Sequence, residues 1–551
     1  LTAHCDPTRS AAIIGIGLRF PGGLSSLGDF WRFLIEGGDA ITEIPADRMD
    51  MKRLYDPEPA TAGRIMTRFG GFLNDIDRFD ARFFGIAPRE AERMDPSQRL
   101  VLETAWEAIE DAGLDAAQLR GRPIGVFVGQ WIADFESRLL RHPEAQDFLM
   151  AAGSGRYATP GRLSYFLGLQ GPSLSLDTAC ASSLTAVHLA LQSLRSGESE
   201  MAFAAGVNVI LSPHITIGYS QSSMMAPDGH CKFGDAKGDG YVRSEGAAML
   251  LLKRLDRALE DGNRIHAILR GSAVNNDGRS GLSFGTPGRD GQERLLRAAL
   301  ADAGAKAEQI DYVEAHGTGT RKGDPVELGS IGKTLGRGRE DLLPVGSVKT
   351  NIGHTEGAAG MAGLIKAALI LKHGEIPPSL HLRDPNPEVD WDGLRLTIPA
   401  IRSALPARDD GWLAGVNNFG IAGSNSHVIL QSAPSQPVAR PGKMRALTGF
   451  APVLPISAQT GPGLQALAAC YLERAERASA DGLSDLCAAA ALRRTGLRER
   501  AVLGGSGPDD LLRQLRALSS GDETATCGVA PEDTPKIVFV APGQGGQWQG
   551  M

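Results

Sequence analysis

Three blocks of the sequence carry residue types suited to nucleophilic chemistry on an acyl group, and a fourth could hold the charge that such chemistry develops. The first is SLDTACASSL, around Cys180, which follows a strand-like run and opens an Ala/Leu helix. Helix-start N–H groups and the helix dipole favour negative charge, so a stabilised thiolate is expected there. Ala179 and Ala181 are small enough to let a substrate approach. An isolated cysteine is ordinarily a small buried apolar residue. That reading suits Cys5, Cys231, Cys470, Cys487 and Cys527, whereas the strand–turn–helix setting separates Cys180 from them. The second block is EAHGTGTRKGDPVE, residues 314–327. His316 follows a strand there and precedes a Gly/Thr loop, where catalytic groups gather. Thr318 and Thr320 offer hydroxyls to a polar, extended substrate arm. The third block, SVKTNIGHTEGAAG (347–360), places His354 five residues after Lys349 and just before a helix. A cation beside an imidazole biases it toward the neutral form, which donates or accepts a hydrogen bond at pH 7. The fourth, NNFGIAGSNSH (417–427), reads as a tight turn whose N–H groups point into a cleft, as an oxyanion hole requires.

These residues need elements to position them. Strand-like runs include Ala11–Ile16, 124–128, 173–176, 201–209, 248–252, 265–272, 312–315, 343–347 and 427–430. Helical runs cover 97–112, 182–196, 291–303 and 358–372, the last apolar enough for a buried core helix. Such alternation predicts α/β layers with mostly buried sheets. The unit strand, turn with a candidate residue, small-residue helix occurs twice, at 173–190 with Cys180 and at 344–372 with His354. A duplicated fold with two half-sites facing one pocket is the expectation; recurrence of a common unit is the alternative. Residues 431–443 are rich in Pro, Ser and Gln and read as a linker, extended here to 431–451. Beyond it, 452–535 holds strands at 453–457 and 500–504 and helices at 463–479 and 483–494, a small α/β domain. The final stretch, 536–551, opens like a further strand and stops at a Gly-rich turn.

Bulk properties exclude several classes. The chain has 551 residues, too many for one average domain. Hydrophobic residues make up 42% and charged residues 22%, with a net charge of −7, ordinary for a globular protein. Its most basic run, Arg493, Arg494, Arg498 and Arg500, reads as a solvated or domain-facing helix face rather than a nucleic-acid surface. Six cysteines without a CxxC pair, and no secretory signal, point to a reducing cytoplasmic compartment. No apolar run reaches the ~18 residues that span a membrane. No metal-ligand spacing such as HExxH occurs, so no metal is expected. Gly15-Ile16-Gly17 lacks the third glycine of a dinucleotide fingerprint, and Gly332-Lys333-Thr334 lacks the first glycine of a P-loop, where Glu327 stands.

Taken in order and spacing, the four blocks resemble the β-ketoacyl synthases of the thiolase superfamily, most closely the ketosynthases of type I modular polyketide synthases. IIGIGLRFPGG (13–23), FFGIAPREAERMDPSQRLVLETAWEAIEDAG (83–113) and APDGHCKFGDAKGDGYVRSEG (226–246) extend the resemblance over 11–430. It implies a duplicated thiolase-like α/β/α/β/α fold. Residues 452–535 resemble the ketosynthase–acyltransferase linker domain, and 536–551 the start of an acyltransferase whose GHSxG motif the chain does not contain. The implied reaction is decarboxylative Claisen condensation of a Cys180-bound acyl chain with a malonyl-type extender. His316 and His354 would assist decarboxylation, and the backbone N–H groups of Cys180 and Ile421 would form the oxyanion hole. Lys349 matches a lysine that orients the His354 region, with Glu327 as its ionic partner. Thr318 and Thr320 match pantetheine-binding positions, and Phe419 and Ile421 a gating loop. No cofactor is implied for the chain itself; substrates arrive on the phosphopantetheine of an acyl carrier protein. An acyltransferase domain of the same polypeptide and a second copy of the chain are the other implied partners.

The sequence departs from that pattern in places. Asn417-Asn418-Phe419 stands where Ser-Ser-Phe is more usual, which suggests an unusual acyl substrate; Ala181-Ser182-Ser183 and the loop at Cys231–Gly238 also differ. A degradative thiolase would use a second cysteine as base, which the two histidine blocks argue against. The rival reading is a non-elongating acyl-transfer or gatekeeping module. Such modules typically lose the nucleophile or a histidine, and this chain keeps all three.

Overall fold

The computed structural model describes residues 5–141, 146–280, 285–408, 410–434, 453–505, 507–522 and 527–531. The proposed acyltransferase start at 536–551 and most of the 431–451 linker lie outside them. Two compact units partition the chain, Leu1–Arg440 and Pro441–Met551.

In the first unit ten strands form two halves of identical plan. The first half comprises β1 (Ala11–Arg19), β2 (Ile124–Gly129), β3 (Ser173–Leu176), β4 (Met201–Asn208) and β5 (Gly246–Arg254). The second comprises β6 (Ala267–Asn276), β7 (Ile310–Glu314), β8 (Leu343–Gly346), β9 (Leu413–Phe419) and β10 (Ser424–Ser432). Spatial order is β3-β2-β4-β5-β1 in one and β8-β7-β9-β10-β6 in the other. The first three strands of each order run parallel and the remaining neighbours are antiparallel; an eleventh strand, Leu396–Thr397, adds parallel to β8 at the far edge of the second half. Matching order and direction favour duplication over chance recurrence of one unit. The halves join where Ala11–Ile13 pairs with 267–269.

Four helices give the layers. α1 (Pro96–Ala112) packs outside the first half, and α3 (Arg289–Ala303) outside the second. Between the halves lie α2 (Ser182–Ser196) and α4 (Ala359–His373), each touching strands of both. A helix covered on every side must be apolar all round. In α4 every residue from Ala359 to Leu371 is buried, and its one buried cation, Lys366, pairs with Glu314 at 3.0 Å. Each central helix begins just after a candidate residue, Cys180 or His354, so the layer that fills the core also aims the site.

The sequence reading placed a turn over 417–427. Strands β9 and β10 instead run through most of it, leaving only 420–423 as the turn. The small residues that suggested a turn are accommodated because the hairpin is buried against α2 and α4 and the outer layer.

The second unit has its own core around Leu454, Leu464, Leu503, Leu511 and Leu515. Its strands Val453–Ala458, Glu499–Gly504 and Cys527–Val529 are antiparallel neighbours, and its helices are Gly461–Glu476, Ala480–Leu492 and Pro508–Ser520. The last helix and strand were not anticipated. The basic run is not a helix face: the helix ends at Leu492, Arg493 caps it, and Arg500 sits on a strand.

Candidate active site

A cavity of about 750 Å³ opens within the first unit, and Cys180, His316 and His354 all line it. Thr318, Thr320, Glu327, Phe419 and Ile421 line it too. That volume suits a small acyl group with part of an extended arm. The rings of His316 and His354 stand 5.3 Å apart, nearly edge to face at 85°.

Cys180 sits on a strained turn: Ala179 beside it has φ 54°. Such a conformation costs about 1–3 kcal/mol and persists only where surrounding contacts impose it. Ser182 supplies one, accepting from Thr178 N at 2.9 Å and donating to Ala179 O at 2.6 Å. The Gly420 turn is pressed against this loop, since a Cβ at Gly420 would lie 2.4 Å from Thr178 O. That approach brings the Ile421 N–H near Cys180, and the N–H groups of Cys180 and Ile421 both pull its thiol down. The two donors named from sequence both act on the sulfur. The expected thiolate, however, is not favoured in the free site. Burial, reinforced by the Glu356 carboxylate, pushes the thiol up to about 12, against the opposing pull of Lys349 and the two N–H groups. Cys180 keeps an opening onto the cavity, but its sulfur is enclosed on nearly every other side.

Both imidazoles are held neutral. Burial is the larger cause at each, and the Lys349 ammonium adds to it. His354 Nδ1 accepts the Glu356 N–H at 3.1 Å, which leaves its proton on Nε2. Glu356 is fully buried and clamped by Arg243, with bonds of 2.6 and 2.8 Å, and by Asn208 Nδ2 at 3.0 Å. Its backbone is itself strained, at φ 47°. Arg243, Asn208 and Glu356 were not named from sequence; the HTEG string next to His354 and the VRSEG string were the available signals.

Glu327 does not form the expected ion pair with Lys349. Its oxygens accept from His316 N at 2.7 Å, Gly317 N at 2.8 Å and Asn417 Nδ2 at 2.9 Å. With both oxygens engaged by the loop it shapes, Glu327 acts on Lys349 only through its field, as Glu314 does. Lys349 is buried, which lowers its ammonium. Thr318 and Thr320 lie on the cavity wall with their hydroxyls 3.1 Å apart. Phe419 is buried with its ring 5.7 Å from that of His316, while Ile421 is partly exposed at the turn.

Asn417 and Asn418 are not cavity residues, so they do not shape an acyl pocket. Alternation along β9 sends them to opposite faces. Asn417 links Glu327 to His427, and Asn418 Oδ1 lies 2.8 Å from His316 Nδ1. No metal ligands were expected, yet Asp39, His230 and His381 bring their donor atoms within 4.8 Å of one another, apart from the cavity. His381 Nε2 already lies 3.0 Å from the Thr350 carbonyl, which requires a proton there. The GxSxG spacing of a hydrolase nucleophile elbow was read as absent from the sequence, yet Gly281-Leu282-Ser283-Phe284-Gly285 has it. That motif needs strand, sharp turn and helix in immediate succession. Here β6 ends at Asn276 and α3 starts only at Arg289; residues 281–284 lie outside the described residues.

The model of the beta-ketoacyl synthase N-terminal domain matches residues 8–258, and that of the C-terminal domain matches 266–383. A ketoacyl-synthetase C-terminal extension model matches 385–502. The oxazolomycin ketosynthase domain OzmH KS7 of Streptomyces albus JA3453 is 35% identical with a TM-score of 0.86, over 97% of this chain and 92% of that one. The chain belongs to the β-ketoacyl synthase family. As a ketosynthase it is a transferase of the class that forms carbon–carbon bonds, with the family's layered α/β fold. A ketosynthase from module 6 of the bacillaene synthase of Bacillus subtilis 168 is 30% identical with a TM-score of 0.82, over 95% of this chain and 87% of that one. Among curated proteins, erythronolide synthase EryA2 of Saccharopolyspora erythraea is 42% identical over 548 residues, covering 99% of this chain. Pikromycin polyketide synthase component PikAII of Streptomyces venezuelae is 43% identical over 548 residues, covering 98% of this chain. The ketosynthase spans only 15% and 14% of those two proteins.

Proposed function

We propose that the ketosynthase elongates a polyketide chain by decarboxylative condensation, with Cys180 as acyl acceptor. The observation that carries this is the meeting of one thiol, two neutral imidazoles and two N–H groups in one cavity. Cys180 Sγ attacks an acyl thioester on a carrier's phosphopantetheine. The acyl–sulfur bond of the arm breaks, and the thiol proton leaves with the departing arm. A malonyl-type thioester then enters and loses CO₂. The electrons of the broken C–C bond pass to the thioester oxygen, where the His316 and His354 Nε2–H groups stabilise the enolate. The enolate carbon attacks the Cys180 thioester. The resulting oxyanion lies toward the N–H groups of Cys180 and Ile421, a kind of contact worth about 2.7–4 kcal/mol each. Collapse expels Cys180 sulfur, which takes up a proton from solvent water, and leaves a β-ketoacyl chain on the carrier. Thr318 and Thr320 receive the arm, and Phe419 and Ile421 gate access.

The proposed partners are an acyl carrier protein, an acyltransferase domain of the same polypeptide and a second copy of the chain. β3 supports the last: it is the outermost strand of its half, and Leu174 on it and nearby Tyr165 are 48% and 91% exposed. We place the protein in the cytoplasm, where its six unpaired cysteines remain reduced. No described helix is long and apolar enough to cross a membrane.

Wild type, Cys180→Ala and His316→Ala assayed with acyl and malonyl carriers test the reaction. Wild type is expected to acylate at Cys180 and release CO₂, Cys180→Ala to lose acylation, and His316→Ala to lose CO₂ release by about a hundredfold. A wild type that loads acyl groups but never releases CO₂ or β-keto product is an acyl-transfer module instead.

A further inference from the structure

His316 has a conflict in its hydrogen bonds. Its Nδ1 lies 2.8 Å from Asn418 Oδ1, which only accepts, and 3.3 Å from Phe419 N, which only donates. One ring nitrogen cannot serve both: the first bond needs a proton on Nδ1 and the second a lone pair. Two buried polar atoms beside it are also unmatched, Asn418 Nδ2 and Ser183 Oγ. Both residues are fully buried. Their free atoms approach one spot beside Gly360, where a Cβ would stand 2.8 Å from Asn418 Nδ2 and 2.9 Å from Ser183 Oγ.

A half-turn of the Asn418 carboxamide exchanges its oxygen and nitrogen with almost no change of shape. The NH₂ then faces His316 Nδ1, alongside the Phe419 N–H. The carbonyl then faces the side of Ser183 and Gly360. One rotation removes the conflict at His316 Nδ1 and gives the Asn418 NH₂ an acceptor; a buried donor left without one costs about 1–3 kcal/mol.

We propose that Asn418 is a positioning residue that sets the tautomer of His316. Its side-chain NH₂ and the Phe419 N–H occupy the Nδ1 lone pair, so the ring proton stays on Nε2. His354 is set in the same sense by a different donor, the Glu356 N–H. The two rings then both present N–H groups, although one is fixed by a side chain and the other by strained backbone. A serine at position 418 would carry a hydroxyl that donates or accepts and so would impose neither tautomer. This assignment rests on the reading of His316 as an enolate stabiliser, but the tautomer itself can be measured without turnover.

The experiment is ¹⁵N NMR of the whole chain with ¹⁵N-labelled histidine rings, His316 being identified by loss of its signals in His316→Gln. Wild type is expected to show His316 with a protonated Nε2 and a bare Nδ1. A protonated Nδ1 overturns the proposal. Asn418→Asp replaces the donor by an acceptor and is expected to move the proton to Nδ1; an unmoved proton also overturns it. In that variant CO₂ release from malonyl carrier should fall about a hundredfold beyond any change in Cys180 acylation. The wild-type spectrum decides even if Asn418→Asp does not fold. A wild type with Nε2–H that releases no CO₂ upholds the tautomer and sinks the elongating function instead.

Discussion

Burial and local dipoles pull the Cys180 thiol in opposite directions, and burial wins. With the thiol near 12, the thiolate fraction rises about tenfold per pH unit throughout the neutral and mildly alkaline range. Alkylation of Cys180 by iodoacetamide, followed by intact mass, should therefore climb from pH 7 to pH 10 without a plateau. A plateau near pH 7 would mean that the helix start, not burial, governs the sulfur. Behind His354, the Arg243–Glu356 pair is buried on both sides. Removing one partner of such a pair leaves an uncompensated charge, so Arg243→Met should cost about 3–5 kcal/mol in urea unfolding. A loss within experimental error would show that water reaches the pair. At this scale Cys180, His316 and His354 were legible because each stands in a local string whose neighbours advertise it. The roles of Glu356, Arg243, Asn208 and Asn418 were not, because they arise from contacts between segments far apart in sequence.

The packing of α2 against α4 holds the two halves of the site in register, and Gly360 of α4 lies against Leu184 of α2. A Cβ there would lie 2.5 Å from the Leu184 side chain. Gly360→Ala is expected to cost about 1–3 kcal/mol through overpacking and to slow Cys180 acylation with it. Wild-type stability and acylation together would show that this contact gives way without cost. The strand–turn–helix units around Cys180 and His354 were readable because their apolar runs and small-residue helices are continuous. The β9–β10 hairpin was not: Asn, Gly and Ser mark turns in isolation, and only burial and pairing with β6 and β7 make strands of them. In the second unit, the helix Pro508–Ser520 followed a Gly-rich run that hid its start.

Across the whole molecule, repetition of one strand order explains why the reactive groups lie where they do. Each half contributes a loop leading into a central helix, and the two loops meet at one cavity. The outermost strand β3 is the proposed seam with a second copy. Leu174→Lys should shift sedimentation equilibrium from dimer toward monomer, and a monomeric wild type would remove that partner. The central claim is that Cys180 both receives the chain and is the site of carbon–carbon bond formation. A single-turnover experiment tests it most directly: Cys180 is loaded with a labelled acyl group, excess donor is removed, malonyl carrier is added, and both proteins are weighed intact. The account predicts that the acyl mass leaves Cys180 and appears on the carrier joined to the extender, less CO₂. An acyl group that stays on Cys180, or transfers to a carrier without extension, would contradict it.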